Sequence, residues 1–389
     1  MLNTPDLSRM LGISVSQCEQ LIDPSNIDVL QLVRDLMQSH TRQKFIVDNP
    51  QGIEELVSVP IGGIDQGLHI RGRNRDNPIL LYLHGGPGCP WIGFMDAIQR
   101  PWEDYFTVVQ WDQRQTGKSY YPADDDNNPL TVAQFIHDTE EVVQYLLDHL
   151  MKDKLFLLGH SWGSILGTHI AKQHPDCLHA YIGVGQVVNM WESEQLLFQR
   201  LYQHAEARQE RALINKLDAI GPYPDVLQPG QSFIEHAAFL RKEIGRLAGE
   251  SLMHHTSWED FGRMLNFERT ISPHLTWVDM ANRVFGDKDA VERAPYSFAK
   301  EFLQVDLPVQ VGSEFEVPVF FFTGAHDHQT SVTLSDKWFS SLQAPYKELV
   351  HFDDSAHMVV NEEPGKFLIE LVNKVLPYAS ANTLIGTEE

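Results

Sequence analysis

The chain has 389 residues, enough for two or three domains or for one large domain with an insertion. Its 53 acidic against 30 basic residues give a formal charge of −23, which excludes nucleic acid and anionic membranes as partners because nothing concentrates positive charge. The 20 Phe, 11 Tyr and 8 Trp supply ample core material and exclude disorder as a class. Three scattered cysteines (Cys18, Cys89 and Cys177) are too few for a disulfide framework or a cysteine-based zinc site. The opening MLNTPDLSRMLGIS lacks the cationic start and apolar run of a secretory signal, and no apolar stretch is long enough to span a bilayer. These features predict a soluble, cytoplasmic protein.

Residues 1–50 read as an N-terminal helical extension, with Leu30, Val33, Leu36 and Met37 at helical spacing in IDVLQLVRDLMQSH. The earlier LSRMLGISVSQCEQLI faintly resembles a helix-turn-helix, but the basic residues that DNA binding needs are missing. From Ile53 the texture changes. IEELVSVP and GLHIRGR read as short strands joined by glycine-rich turns. Apolar runs follow, each ending in a turn: ILLYLHGGPG, TVVQWDQRQTG, LFLLGHSWG, AYIGVG and VPVFFFTGAHD. Continuous rather than alternating apolar strands imply burial on both faces, as in a parallel sheet. Between them lies TVAQFIHDTEEVVQYLLDHL, with Phe135, Thr139, Val142, Val143 and Leu146 along one side of a helix. DDDNNP (124–129) reads as a solvated acidic turn. Strands alternating with helices predict an α/β fold, a mostly parallel central sheet with helices on both faces.

One stretch breaks the rhythm. Residues 187–311 hold no convincing buried strand and read as an inserted helical cap above the strand ends, where α/β sheets bind ligands. The core is then formed by 51–186 and 312–389.

The strongest chemical signal is Gly159-His160-Ser161-Trp162-Gly163, after the strand LFLLG and before the helical run SILGTHIAKQH. This is G-x-S-x-G in the strand–turn–helix context that presents a serine hydroxyl as nucleophile. A serine needs a base oriented by an acid, and in this arrangement the chain order is serine, acid, histidine. Asp327 ends the strand VPVFFFTGAHD, and His357 follows the last strand, YKELVHF. Among 18 histidines the rivals for the base are His351, His326 and His328. Asp353 and Asp354 are rival acids, although they lack the strand-end position. The glycine loop His84-Gly85-Gly86-Pro87-Gly88 follows the strand PILLYL, so the N–H groups of Gly86 and Trp162 are candidate oxyanion donors. No H-E-x-x-H motif or histidine ligand spacing implies a metal, and no glycine-rich phosphate motif implies a nucleotide, so no cofactor is expected.

HGGPG, then WDQRQTGKS, then GHSWGS, with Asp327 and His357 downstream, resembles the prolyl iminopeptidase group of α/β-hydrolases over roughly 55–375. The resemblance implies an α/β-hydrolase fold with Ser161 as nucleophile, Asp327 as acid, His357 as base, and Gly86 and Trp162 as oxyanion donors. It also implies an aminopeptidase that releases N-terminal residues, proline above all, from short peptides, using cap carboxylates to bind the free amino end. Glu192 and Glu194, which open the cap in NMWESEQ, are the candidates for that role. The family usually has glycine where this chain has Gln115 in Asp112-Gln113-Arg114-Gln115. Two other functions fit the same motifs: an esterase, lactonase or amidase acting on a small metabolite, or a non-catalytic receptor or scaffold built on the hydrolase fold. The expected partner is a small molecule or short peptide.

Overall fold

The computed structural model describes residues 27–121, 130–224, 233–248, 252–281 and 296–380. The LSRMLGISVSQCEQLI segment and the DDDNNP turn lie outside them. Eight strands form one sheet: β1 (Ile53–Ile61), β2 (Ile64–Gly72), β3 (Ile79–Leu83), β4 (Thr107–Trp111), β5 (Leu155–His160), β6 (Leu178–Val184), β7 (Val319–Gly324) and β8 (Lys347–Phe352). Their spatial order is β1-β2-β4-β3-β5-β6-β7-β8. The β1–β2 hairpin pairs antiparallel with itself and with β4, and every pairing from β4 to β8 is parallel. This is the α/β sheet that the apolar runs predict.

The strands are apolar throughout because alternate residues serve two separate cores. On β3, Ile79, Leu81 and Leu83 join one core, while Leu80 and Tyr82 join the other. The first core is covered by α2 (Val132–Leu150), α3 (Trp162–Gln173) and α10 (Val332–Ser341). The second is closed by Trp102 and by Phe367 of α11 (Pro364–Glu370), whose rings stack 5.3 Å apart. Helix α2 begins where Thr131 accepts a hydrogen bond from Gln134 N at 3.1 Å, satisfying an amide that the first turn leaves without a partner.

Between β6 and β7 run α4 (Met190–Ala207), α5 (Arg211–Ile220), α6 (Phe233–Ala248), α7 (Trp258–Ile271), α8 (Trp277–Ala281) and α9 (Tyr296–Leu303). They carry a core of their own, in which Leu197, Leu201, Leu217, Leu240 and Ile244 are buried. Helix α1 (Ile27–Lys44) packs on this segment with Val33 and Met37 of its apolar stripe half-buried and with polar contacts beside them. Leu36 is 64% exposed. Arg34 donates to the carbonyls of Leu275 (2.7 Å) and Thr270 (3.1 Å) and lies 4.2 Å over the Trp277 ring. Among the described residues no helix is long and apolar enough to cross a membrane.

A buried ion pair joins three elements on the antiparallel side. Arg114, just after β4, donates from Nε and Nη2 to the two carboxylate oxygens of Asp138 on α2, at 2.6 and 2.7 Å. Gln66 of β2 and Gln134 donate to the same carboxylate at 2.8 and 2.9 Å. Both charged side chains are fully buried, so removing one strands the other in a low-dielectric interior. Asp138→Ala is therefore expected to cost about 3–5 kcal/mol in denaturation experiments. Asp148→Ala, on the exposed side of the same helix, should change stability by less than about 0.5 kcal/mol. Similar losses for the two variants would show that the buried pair is not what holds the hairpin to the helix.

Candidate active site

The turn from β5 into α3 fixes Ser161. Its φ of +54° and ψ of −120° lie in a region that costs a non-glycine residue about 1–3 kcal/mol, so the surroundings must hold it there. They do so by contact. A Cβ at Gly163 would stand 2.1 Å from the carbonyl oxygen of Leu83, and one at Gly159 would stand 2.5 Å from that of Gly163. Only glycine permits β3, β5 and α3 to approach this closely. The amide of Ser161 is held by the carbonyl of Val184 at 2.9 Å, and its carbonyl accepts from Ser164 N at 2.8 Å.

The loops after β7 and β8 bring the acid and base candidates together. Nδ1 of His357 is 2.8 Å from Oδ2 of Asp327, and both residues are buried. Asp327 also accepts from Gln329 N (2.8 Å), Thr330 N (3.0 Å) and Thr330 Oγ1 (2.7 Å). Burial alone would raise its pKa, but the facing His357 and the Thr330 bonds outweigh burial and hold it below the ordinary carboxylate value. The loop carrying His357 is fastened by Glu362, which accepts from Ala356 N at 2.7 Å, and by Glu363, which accepts from Ser355 Oγ at 2.6 Å. The rivals lie elsewhere. His351 is exposed on β8, 4.0 Å from Asp336; His326 stacks on His254; Asp353 and Asp354 are exposed.

His160, the variable residue inside the G-x-S-x-G motif, supports the base candidate. Its Nε2 donates to the carbonyl of His357 at 3.1 Å, and the two rings lie 4.9 Å apart. Burial pushes its pKa down to about 3, so it is a neutral donor at physiological pH. On the other side, the loop after β3 abuts the serine, since a Cβ on Gly85 would be 3.1 Å from Cβ of Ser161. Gln113 ties this loop to α3 by donating to the carbonyl of His84 at 3.0 Å while accepting from Trp162 Nε1 at 2.8 Å. Gln115 has φ of +63°, so the chain keeps a left-handed conformation where the family usually has glycine.

Ser161, His357, Gly86 and Trp162 line one cavity of about 530 Å³, and Met190, Phe261, Leu265, Phe298 and Phe302 from the helical segment form its far wall. Glu194 also lines it. Glu192 does not: it is exposed at the start of α4, where its amide is capped by Asn189 Oδ1 at 2.8 Å. Glu194 is buried and already engaged. Arg241 donates to both of its oxygens, one of them at 3.2 Å, and Tyr223 donates to Oε2 at 2.6 Å. Arg241 is further held by Gln329 Oε1 at 2.8 Å, two residues from Asp327. Arg241, Tyr223 and Gln329 carry no sequence signal, because nothing in the helical pattern of α6 marks which arginine turns inward.

Residues 78–364 match the sequence family described as the alpha/beta hydrolase fold. The chain is 33% identical over 327 residues to the "Probable aminopeptidase YbaC" of Bacillus subtilis (strain 168), a match covering 83% of this chain and 96% of that protein. It is 26% identical over 211 residues to the proline iminopeptidase of Lactobacillus helveticus (strain DPC 4571), covering 51% of this chain and 69% of that one. In fold it is similar to the crystal structure of proline iminopeptidase from Mycobacterium smegmatis, with a TM-score of 0.56 at 17% identity over 84% of this chain and 100% of that one. The chain belongs to the α/β-hydrolase fold family and resembles its proline iminopeptidases.

Proposed function

We propose that this hydrolase is a serine aminopeptidase that releases N-terminal residues, of the proline type, from short peptides. The observation that carries the reading is that Ser161, His357 and the carboxylate of Glu194 share one cavity, with Asp327 bonded behind His357. The likeness to relatives named as aminopeptidases supports the same substrate class.

In this reading Oγ of Ser161 attacks the acyl carbon. Nδ1 of His357 is engaged by Asp327, which leaves Nε2 to take the serine proton and pass it to the leaving amine. The developing oxyanion is met by the N–H groups of Gly86 and Trp162, the latter at the first position of α3, where helix amides lack internal partners. The substrate's ammonium group is held near Glu194, because burying a cation without a partner is costly. It shares that carboxylate with Arg241 rather than meeting it bare. The same ion pair favours the second reading, an esterase or amidase for a small metabolite, since it leaves the cavity wall with little free negative charge.

Three measurements test these roles. Ser161→Ala removes one oxygen at a strained turn, so the fold should persist while kcat falls by several orders of magnitude, on the scale of roughly 10⁶. Retention of more than a few per cent of activity would reject the elbow serine as nucleophile. His357→Gln should remove nearly all turnover, whereas His351→Gln, on the exposed face of β8, should leave kcat and KM close to wild type; the opposite pattern would transfer the base to His351.

Aminoacyl arylamides with a free α-amino group should be cleaved about 10²-fold faster than their acetylated counterparts, since a charge-assisted hydrogen bond contributes about 1.5–3 kcal/mol. Glu194→Gln should shrink that ratio, with turnover of a neutral ester reporting that the folded site is intact. Equal rates on free and blocked substrates would favour the esterase or amidase and leave the Ser161 chemistry untouched.

A further inference from the structure

A second cluster of chemically capable side chains lies on the antiparallel side of the sheet. His69 on β2 is buried, and neither of its ring nitrogens has a hydrogen-bond partner among the described residues. A buried imidazole with an unmet donor and an unmet acceptor loses about 1–3 kcal/mol for each, so the position calls for a partner. Two groups converge on it. His274, in the loop between α7 and α8, brings its ring to 4.1 Å from that of His69, centroid to centroid. Glu54 on β1 faces Arg71 across the hairpin, two residues along β2 from His69, and so lies diagonally opposite the imidazole on the same face.

We propose that Glu54, His69 and His274 form a binding site for one divalent transition-metal ion of the zinc class. One ligand atom from each of the three residues lies within 4.8 Å of the others. Three ligands about 2.0–2.2 Å from one ion lie about 3.3–3.8 Å apart, so closure draws the side chains together by about 1–1.5 Å, a movement open to the exposed Glu54 and to His274 in its loop. Two imidazoles and a carboxylate form a donor set suited to zinc, copper or nickel rather than to magnesium or calcium, which prefer all-oxygen cages. Asp96 stands 3.5 Å from Nε2 of His274, where it can orient that ring as an outer carboxylate does in many histidine–metal sites.

The local charge suits a cation despite Arg71. The Arg71 guanidinium is held by Glu103 at 2.8 Å and by Oε1 of Glu54 at 2.8 Å, which leaves the second oxygen of Glu54 for an ion. Two further cations act on His274: Lys118, which is paired with Asp279 at 3.0 Å, and Arg42. Glu54 and Glu103 offset Arg71, and Asp96 lies beside His274. An ion here would fasten the sheet edge to the loop after α7, and so hold the helical segment over the core.

The test uses the untagged, chelator-stripped full-length protein, titrated with Zn²⁺ against a chromophoric chelator and, separately, with Co²⁺ followed by visible absorption. One equivalent should bind, Co²⁺ should give the intense band of a low-coordinate histidine site, and Zn²⁺ should raise the melting temperature by about 3 °C or more. His274→Ala and Glu54→Gln, both away from the buried core, should each weaken Zn²⁺ binding by about 10-fold or more and remove the melting shift. His326→Ala, at the separate stack with His254, should alter neither. Absence of saturable binding overturns the proposal. So does one-equivalent binding that survives His274→Ala and Glu54→Gln, or that is lost in His326→Ala, because the ion would then be held elsewhere.

Discussion

The close approach of β3, β5 and α3 at the Ser161 turn is the constraint on which the site depends. Leu83 and Gly163 touch so closely that a single methyl group on the glycine would drive the helix off the strand. The contact holds Ser161 in a conformation it would not adopt alone, lifts its hydroxyl above the sheet edge, and starts α3 directly behind it. The parallel register of β3 with β5, Leu83 opposite Gly159, then sets the glycine loop that follows β3 beside the serine. Strain at one residue is thus sustained by the packing of three elements.

Everything else around the cavity is arranged relative to that turn by strand ends. In a parallel sheet all carboxyl ends face one way, so the loops after β3, β5, β7 and β8 meet without any long-range design in the sequence. What the loops still need is rigidity, and polar contacts supply it. Asp327 is held by Gln329 and Thr330, the His357 loop by Glu362, Glu363 and His160, and the glycine loop by Gln113. The neutral state of His160 matters here, because a second imidazolium beside His357 would oppose any positive charge on that ring.

The helical segment between β6 and β7 has a different character. It packs around its own apolar core, joins the two sheet cores through Met190 and Phe298 and through Met253 and Phe261, and lines the cavity, where the buried Glu194 and Tyr223 meet the half-buried Arg241. A carboxylate so fully engaged is held in one orientation, which suits recognition by geometry, and it is partly neutralised, which limits its pull on a cation. These two consequences of one ion pair are what separate the peptidase reading from the esterase and amidase reading.

The sequence by itself determined the strands, their parallel stacking and the strand–turn–helix at Ser161. Each is encoded locally: apolar runs of strand length, glycines flanking a serine, and turns at the run ends. It also singled out Asp327 and His357, because the order of elements along the chain already states which strand ends they follow. Only the tertiary structure decided which polar side chains meet in the interior. Arg114 finds Asp138, Glu194 finds Arg241, and His69 finds His274 across more than two hundred residues, and none of these meetings leaves a periodic trace. Glu192 and Glu194 look alike as sequence, yet one is exposed and the other buried, because α4 turns through about 100° per residue and presents only one of them to the cavity. Local patterning specifies elements; which polar side chains share an interior is decided by how those elements pack.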